Sequence, residues 1–319
     1  MAEPLRRRVR ARVLRGLTRA VGLTPPAFLR GGLRLAAAAA RHTRYERRAR
    51  ANLELALGGE TSAAERERIA AGVRRHAARQ LAEWLRLARG APPAGPAAAR
   101  GRWIEDAVAI DDSIEVLDAE LARGRGAIVV TAHIGNWELL CAALRRHGGY
   151  PGAVVGLERR RDSSSDWLVE MRRAYGVETI AQRSHPRRIL RVLQDGGVLG
   201  LLCDLEVRRL AGEFVPFFGH PALTMTAPAA LARAHRAPLL PARCVLGADG
   251  RYRLGFDEPL ALDPVLERAA AARDLLERLN RRYEVWIRAA PEQWAWHQPR
   301  WRTRPGEIET VPLAARGAS

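Results

Sequence analysis

Hydrophobic and polar positions follow two regimes along this chain. In the first, apolar residues recur at helical spacing. Leu5, Val9, Val13, Leu17 and Val21, with Leu14 beside them, form one stripe, while Arg6, Arg7, Arg8, Arg10, Arg12, Arg15 and Arg19 fill the other positions. The pattern predicts an amphipathic helix with a cationic face. Such a helix suits a membrane plane, or docks on its own domain with its charges solvated. Pro25 and Pro26 end it, and helical patterns resume over about 26–41 and 63–88, the latter with Thr61 or Ser62 as its cap. Residues 89–101 carry Pro92, Pro93, Gly95 and Pro96 and read as a loop or linker.

In the second regime, short β-branched runs alternate with helical segments. Strands are expected at 126–131 (GAIVVT), 153–156, 179–181, 198–203 (VLGLLC), 238–245 and 252–256. Helices are expected at about 136–146, 165–175, 186–194, 227–234 and 266–289. This alternation predicts an α/β fold: a mostly parallel central sheet flanked by helices, with its site at the carboxyl ends of the strands. The chain divides into a helical, basic N-terminal region over 1–100, suited to membrane association, and an α/β core over 101–319.

Composition narrows the field. The formal net charge is +18, and with no Lys in the sequence every basic side chain is Arg. Guanidinium forks bind phosphate and carboxylate bidentately, so the charge suits anionic lipid, an acidic protein or nucleic acid. Cys141, Cys203 and Cys244 lie far apart in apolar runs, without metal-ligand spacing, and read as small core residues in a reducing compartment. No apolar stretch approaches the ~20 residues needed to span a bilayer, and no signal-peptide pattern is evident.

The strongest chemical signal is Thr131-Ala-His133-Ile-Gly-Asn136-Trp-Glu138, which places a histidine directly after a buried strand and before a helix. On a continuous helix His133 and Glu138 would lie about 140° apart. They meet only if His133 sits in the turn and Glu138 in the first helical turn, with Gly135 and Asn136 supplying the turn and an N-cap. A carboxylate on one imidazole nitrogen fixes the tautomer and frees the other as a base. The alternative is that His133 bonds a backbone carbonyl and Glu138 merely complements the helix dipole.

His-x₄-Glu after a strand resembles the motif of glycerolipid and lipid A acyltransferases. The longer stretches His133-Ile-Gly-Asn-Trp-Glu138, Leu201-Leu-Cys-Asp204, Phe214-Val-Pro-Phe-Phe-Gly219, Pro291-Glu-Gln-Trp-Ala-Trp296 and Arg300-Trp-Arg-Thr-Arg-Pro305 resemble the bacterial lipid A late acyltransferase family, whose relatives include phosphatidylinositol mannoside acyltransferases. The resemblance covers about residues 45–305. It implies a glycerolipid-acyltransferase-like fold and transfer of a fatty-acyl chain to a hydroxyl without a covalent acyl-enzyme. It makes His133 the general base and Glu138 its partner, and places Arg172, Asp204 and Asn136 on the substrate side. The carry-over to Arg172 rests on spacing, with Arg173 adjacent. Leu205 stands where the family commonly has Gln or His, and His297 is displaced by one position from the family's histidine.

The resemblance further implies an acyl donor, acyl carrier protein or acyl-coenzyme A, with no resident cofactor and no metal. A lipid A precursor is the first choice of acceptor, ahead of a phosphatidylinositol mannoside or another phospho- or aminolipid. The location implied is the cytoplasmic face of the inner membrane, held peripherally at an anionic surface. No GxSxG, Walker A, GxGxxG or HExxH motif is present, and dispersed Arg without a recognition motif argues against nucleic acid. A catalytically inactive basic surface-binding protein is the competing class. The aromatics at 214–223 and the late tryptophans Trp286, Trp294, Trp296 and Trp301 suit either a lipid-facing belt or packing.

Overall fold

The computed structural model describes residues 39–89, 98–156, 163–182, 184, 186–208 and 210–307, with a few isolated positions before residue 36. The expected amphipathic helix around 5–21 and most of the segment 26–41 fall outside the described residues.

The chain begins with α1 (Arg44–Leu57), capped by Thr43, and α2 (Ala63–Arg89). Ser62 caps α2 through a reciprocal exchange, its N–H and hydroxyl bonding Glu65 while its oxygen accepts from the Glu65 N–H. There follow α3 (Ala98–Ala107), β1 (Val108–Ile110), α4 (Glu115–Leu121), β2 (Ala127–Thr131), α5 (Trp137–His147), β3 (Gly152–Gly156) and α6 (Ser163–Ala174). The rest is β4 (Glu178–Ala181), α7 (Pro186–Gln194), β5 (Val198–Leu202), β6 (Gly212–Phe217), β7 (His220–Met225), α8 (Ala227–His235), β8 (Leu239–Leu246), β9 (Tyr252–Phe256) and α9 (Arg268–Ala289).

Seven strands make one sheet in the order β1-β9-β8-β2-β5-β3-β4, parallel except for the antiparallel pair β8–β9. β2 is central and wholly buried, which is why its sequence is an unbroken apolar run. Its side chains alternate between faces. Ile128 and Val130 join a core with Leu53 of α1, Val73 of α2 and Leu275, Leu279 and Tyr283 of α9. Ala127 and Val129 face a second core with Leu139, Leu140 and Leu144 of α5 and Met171 of α6. Each fully buried Leu or Ile here contributes about 1.5–3 kcal/mol. The N-terminal helices α1 and α2 thus share a core with the sheet.

Several elements differ from the sequence reading. The segment 214–223 belongs to a two-stranded hairpin, β6–β7, turning at Phe218 and Gly219, both with positive φ. Phe217 and Phe218 are buried among Trp294, Trp296 and Trp301, so these rings pack the core. Helix α3 begins inside the stretch read as a linker, and β1 and α4 were not anticipated.

Parallel pairing sets up the site. β2 and β5 are neighbours in register, Thr131 opposite Leu202, and the Cys203 N–H donates to Thr131 O at 3.1 Å. The two strands therefore leave the sheet together, and the residues just past them, His133 and Asp204, come side by side.

Candidate active site

His133 lies in the turn joining β2 to α5. The turn is tied from three directions. Gly135 has φ +59°, and a Cβ there would stand 1.9 Å from Cys244 O, so only glycine fits. Its carbonyl accepts from His76 Nε2 at 2.9 Å and Gln80 Nε2 at 2.8 Å, both from α2, and its N–H donates to Gln293 O at 3.0 Å. Burial holds His76 below its ordinary pKa, against the pull of the Gly135 carbonyl. Asn136 N donates to Cys244 O at 2.8 Å, and Ala295 N donates to His133 O at 3.0 Å.

The carboxylate on the imidazole is Asp204. Its Oδ1 lies 2.7 Å from His133 Nδ1, and its Oδ2 accepts from the His133 backbone N–H at 2.8 Å and from the Trp294 indole N–H at 2.7 Å. Asp204 is fully buried, whereas the His133 side chain is 24% exposed. Burial pushes the Asp204 carboxyl up, but the His133 ring and these hydrogen bonds outweigh it and hold the group below its ordinary value. An ionised Asp204 accepts from a protonated Nδ1, which in the neutral ring leaves Nε2 as the nitrogen with the lone pair. The ring also rests edge-on against Trp137, centroids 4.8 Å apart.

Glu138 does not take the place expected of it beside His133. Both its oxygens are engaged by Arg172, Oε2 from Nε at 2.9 Å and Oε1 from Nη2 at 2.6 Å, and Tyr175 donates to Oε2 at 3.0 Å. The reason is helical geometry. Asn136 caps α5, so Trp137 meets the imidazole and Glu138, about 100° further round, is directed toward α6. Glu138 is 1% exposed and Arg172 9%, so this is a buried bidentate ion pair. Burial opposes the Arg172 charge, but Glu138 raises the group above its usual range. Arg172, not the exposed Arg173, is the inward residue. Its Nη1 lies beside Gly156 at the carboxyl end of β3.

Asn136 is also reassigned. It is fully buried and accepts from Leu139 N at 3.2 Å as the predicted N-cap, and from Trp84 Nε1 at 3.0 Å, while donating to Glu83 Oε2 at 2.8 Å. Both polar atoms of its side chain are engaged by these protein partners.

A match to a family model settles the affiliation. The model described as bacterial lipid A biosynthesis acyltransferase matches residues 10–303. The chain belongs to this family. Individual relatives of the lipid A acyltransferase family agree. A phosphatidylinositol mannoside acyltransferase of Mycobacterium tuberculosis (strain ATCC 25618 / H37Rv) is 30% identical over 208 residues, 64% of this chain and 63% of the relative. The Mycolicibacterium smegmatis protein of the same name is 29% identical over 210 residues, 65% and 66% of the two chains. A lipid A biosynthesis lauroyltransferase of Escherichia coli K12 is 29% identical over 194 residues, 60% of each. The matched stretch thus spans less than two thirds of each relative's length.

Within this lipid A acyltransferase fold, two contacts of the candidate site escaped the sequence reading. The Asp204–His133 bond joins segments 71 residues apart, and Trp294 reaches Asp204 from 90 residues away. The motif Pro291–Trp296 flagged the second without saying what it touches. His297 is half-buried near His133. Burial, the His133 charge and Arg48 push it down to about 4, so it stays neutral at physiological pH.

Proposed function

We propose that this protein is an O-acyltransferase that moves a fatty-acyl chain from a carrier thioester to a hydroxyl of a lipid A precursor or similar glycolipid. The observation that carries the reading is the His133–Asp204 pair at the carboxyl ends of two adjacent parallel strands, with Nε2 of a partly exposed imidazole turned away from the carboxylate. In the proposed step Nε2 takes the acceptor hydroxyl proton as its oxygen attacks the thioester carbonyl carbon. The tetrahedral intermediate collapses with loss of the carrier thiolate, which recovers the proton from the imidazolium. Asp204 fixes the ring and balances its transient charge. Glu138 acts at one remove: it locks Arg172, whose Nη1 is left to meet an acceptor phosphate or the developing oxyanion.

Acyl carrier protein is the preferred donor, because an acidic carrier complements a chain of net charge +18; acyl-coenzyme A is the alternative. We place the protein at the cytoplasmic face of the inner membrane, held peripherally. That no helix among the described residues is long and apolar enough to cross a membrane is compatible with this. A phosphatidylinositol mannoside is the second acceptor, favoured by the two mycobacterial relatives bearing that name.

His133→Ala should abolish transfer in a variant that still folds by circular dichroism, and wild-type turnover by the purified variant would refute the mechanism. Mass spectrometry of lipids from cells lacking the gene identifies the acceptor as the species that loses one acyl chain.

A further inference from the structure

One face of α1 is charged without being matched. Its inner side buries Ala49, Leu53 and Ala56. On the opposite side Arg44, Arg47, Arg48, Ala51 and Leu55 recur at helical spacing, and all are exposed. Arg41, in the turn ahead of the Thr43 cap, adds a fourth exposed guanidinium. None of the four has an acidic partner among the described residues: Arg41 bonds the His42 ring, Arg44 the Tyr45 hydroxyl and Arg48 the His297 carbonyl at 3.4 Å. The acids nearby are committed elsewhere, Glu46 to Arg74, Glu54 to Arg66 and Glu67 to Arg50. Nor can the preceding chain neutralise the stripe, because Glu3 is the only acid ahead of Glu46.

Exposed arginines on other elements are matched to acids, as in Arg253–Asp249 and Arg288–Glu60. On α1 the like charges at i, i+3 and i+4 repel, and cations in the first turn oppose the helix dipole. The stripe therefore costs the helix stability, and its use lies outside the fold. It also adjoins the site. Asn52, on the inner side of α1, donates to Trp296 O at 2.8 Å and to Gln298 O at 3.1 Å, and the Tyr45 ring stands edge-on to His297, centroids 6.3 Å apart. These residues directly follow Trp294 and Ala295, which hold Asp204 and the His133 carbonyl. A molecule docked on the stripe is thus held at a fixed place beside the reacting groups.

We infer that the outer face of α1 is the docking surface for the protein that carries the acyl thioester, and that this partner lays an acidic helix against Arg41, Arg44, Arg47 and Arg48. The inference rests on the acyl-transfer reading and fixes its donor as a carrier protein. From Arg44 to Leu55 the stripe runs roughly 16 Å along the helix, a length that matches a facing helix rather than the compact phosphates of a coenzyme. A row of guanidinium groups opposite a row of carboxylates steers the encounter and sets its register. The small Ala51 and the exposed Leu55 then give the two helices an apolar contact beyond the charges.

The test reverses Arg41, Arg44 and Arg47 to Glu together in the full chain and leaves Arg48 on its carbonyl. With an acylated acyl carrier protein as donor, KM should rise roughly tenfold or more at low salt while kcat holds, and the gap should close at high salt. With acyl-coenzyme A of the same chain length, KM should change less than about twofold. A control reversing Arg123, Arg236 and Arg268, near the amino ends of the strands, should leave both donors as in wild type. Should the triple reversal fail to fold by circular dichroism, the same three positions as Gln are measured instead. An unmoved KM for the carrier overturns the inference, as does an equal rise for both donors or an equal rise in the control. Loss of sedimentation with anionic vesicles at an unchanged carrier KM also overturns it, and assigns the stripe to a membrane. Fluorescence anisotropy of a labelled holo carrier protein, titrated with wild type and with the reversal variant, reads docking without turnover. If wild type acylates no lipid yet binds the carrier and the variant does not, the acyl-transfer reading fails and the docking surface stands.

Discussion

At the scale of single residues, His133 and Glu138 divide two tasks that the sequence assigns to one dyad. His133 is tied through Nδ1 to Asp204, and Glu138 is spent on Arg172 and Tyr175. Substitutions separate them. Asp204→Asn leaves the ring without an anionic partner and should lower kcat by about 10²–10⁴-fold with little change in KM, read from initial rates over an acceptor series. Glu138→Gln should act first on stability, because it leaves a buried guanidinium without its counter-charge; the loss is about 3–5 kcal/mol, measured by urea denaturation. Asp204 also links stability to pH. Its folded carboxyl is held below the ordinary value, so the unfolded chain takes up a proton there first as pH falls. Its contribution is present above the ordinary carboxylate range, near pH 4, and fades as pH drops through the folded value. Denaturation midpoints at pH 7 and pH 4 should therefore differ more for wild type than for D204N.

At the scale of elements, the β2–α5 turn that carries His133 is tightly constrained. Gly135→Ala combines positive φ with a clash against Cys244 O; it should lower the melting temperature and transfer rate together, since the same carbonyl anchors His76 and Gln80. This turn was legible in sequence because an unbroken β-branched run followed by His, Gly and Asn obeys local rules. The strands at 198–202 and 252–256 and the helices at 186–194 and 268–289 were legible for the same reason. The hairpin was not, because Pro216, Gly219 and Pro221 read as loop punctuation while its strands are stabilised from outside, through Asn280 on Pro216 O and Arg300 on Leu223 O. Nor was the partner of His133: that β5 lies beside β2 is a property of strand order, which no local periodicity encodes. Asn136 was correctly seen as a cap, but the reach of α2 to its side chain through Trp84 and Glu83 was invisible.

At the scale of the whole molecule, the net charge of +18 bears on the proposed attachment to an anionic membrane surface. Removal of residues 1–24 deletes a stripe of Arg, each contributing about 1 kcal/mol near an anionic leaflet. Binding to anionic vesicles should weaken accordingly and depend on salt; sedimentation with vesicles at low and high ionic strength checks it, and unchanged binding at low salt would rule out a membrane role for this segment.

The indole of Trp294 and the amide of Ala295 hold the His133–Asp204 pair from a stretch of chain far downstream of His133. Competence is therefore a long-range property: a polypeptide cut or frayed ahead of Trp294 keeps both His133 and Asp204 yet lacks the strap that aligns them. Because Trp294 also lies in the core shared by the sheet and α9, a urea titration should remove turnover and the circular dichroism of the sheet together.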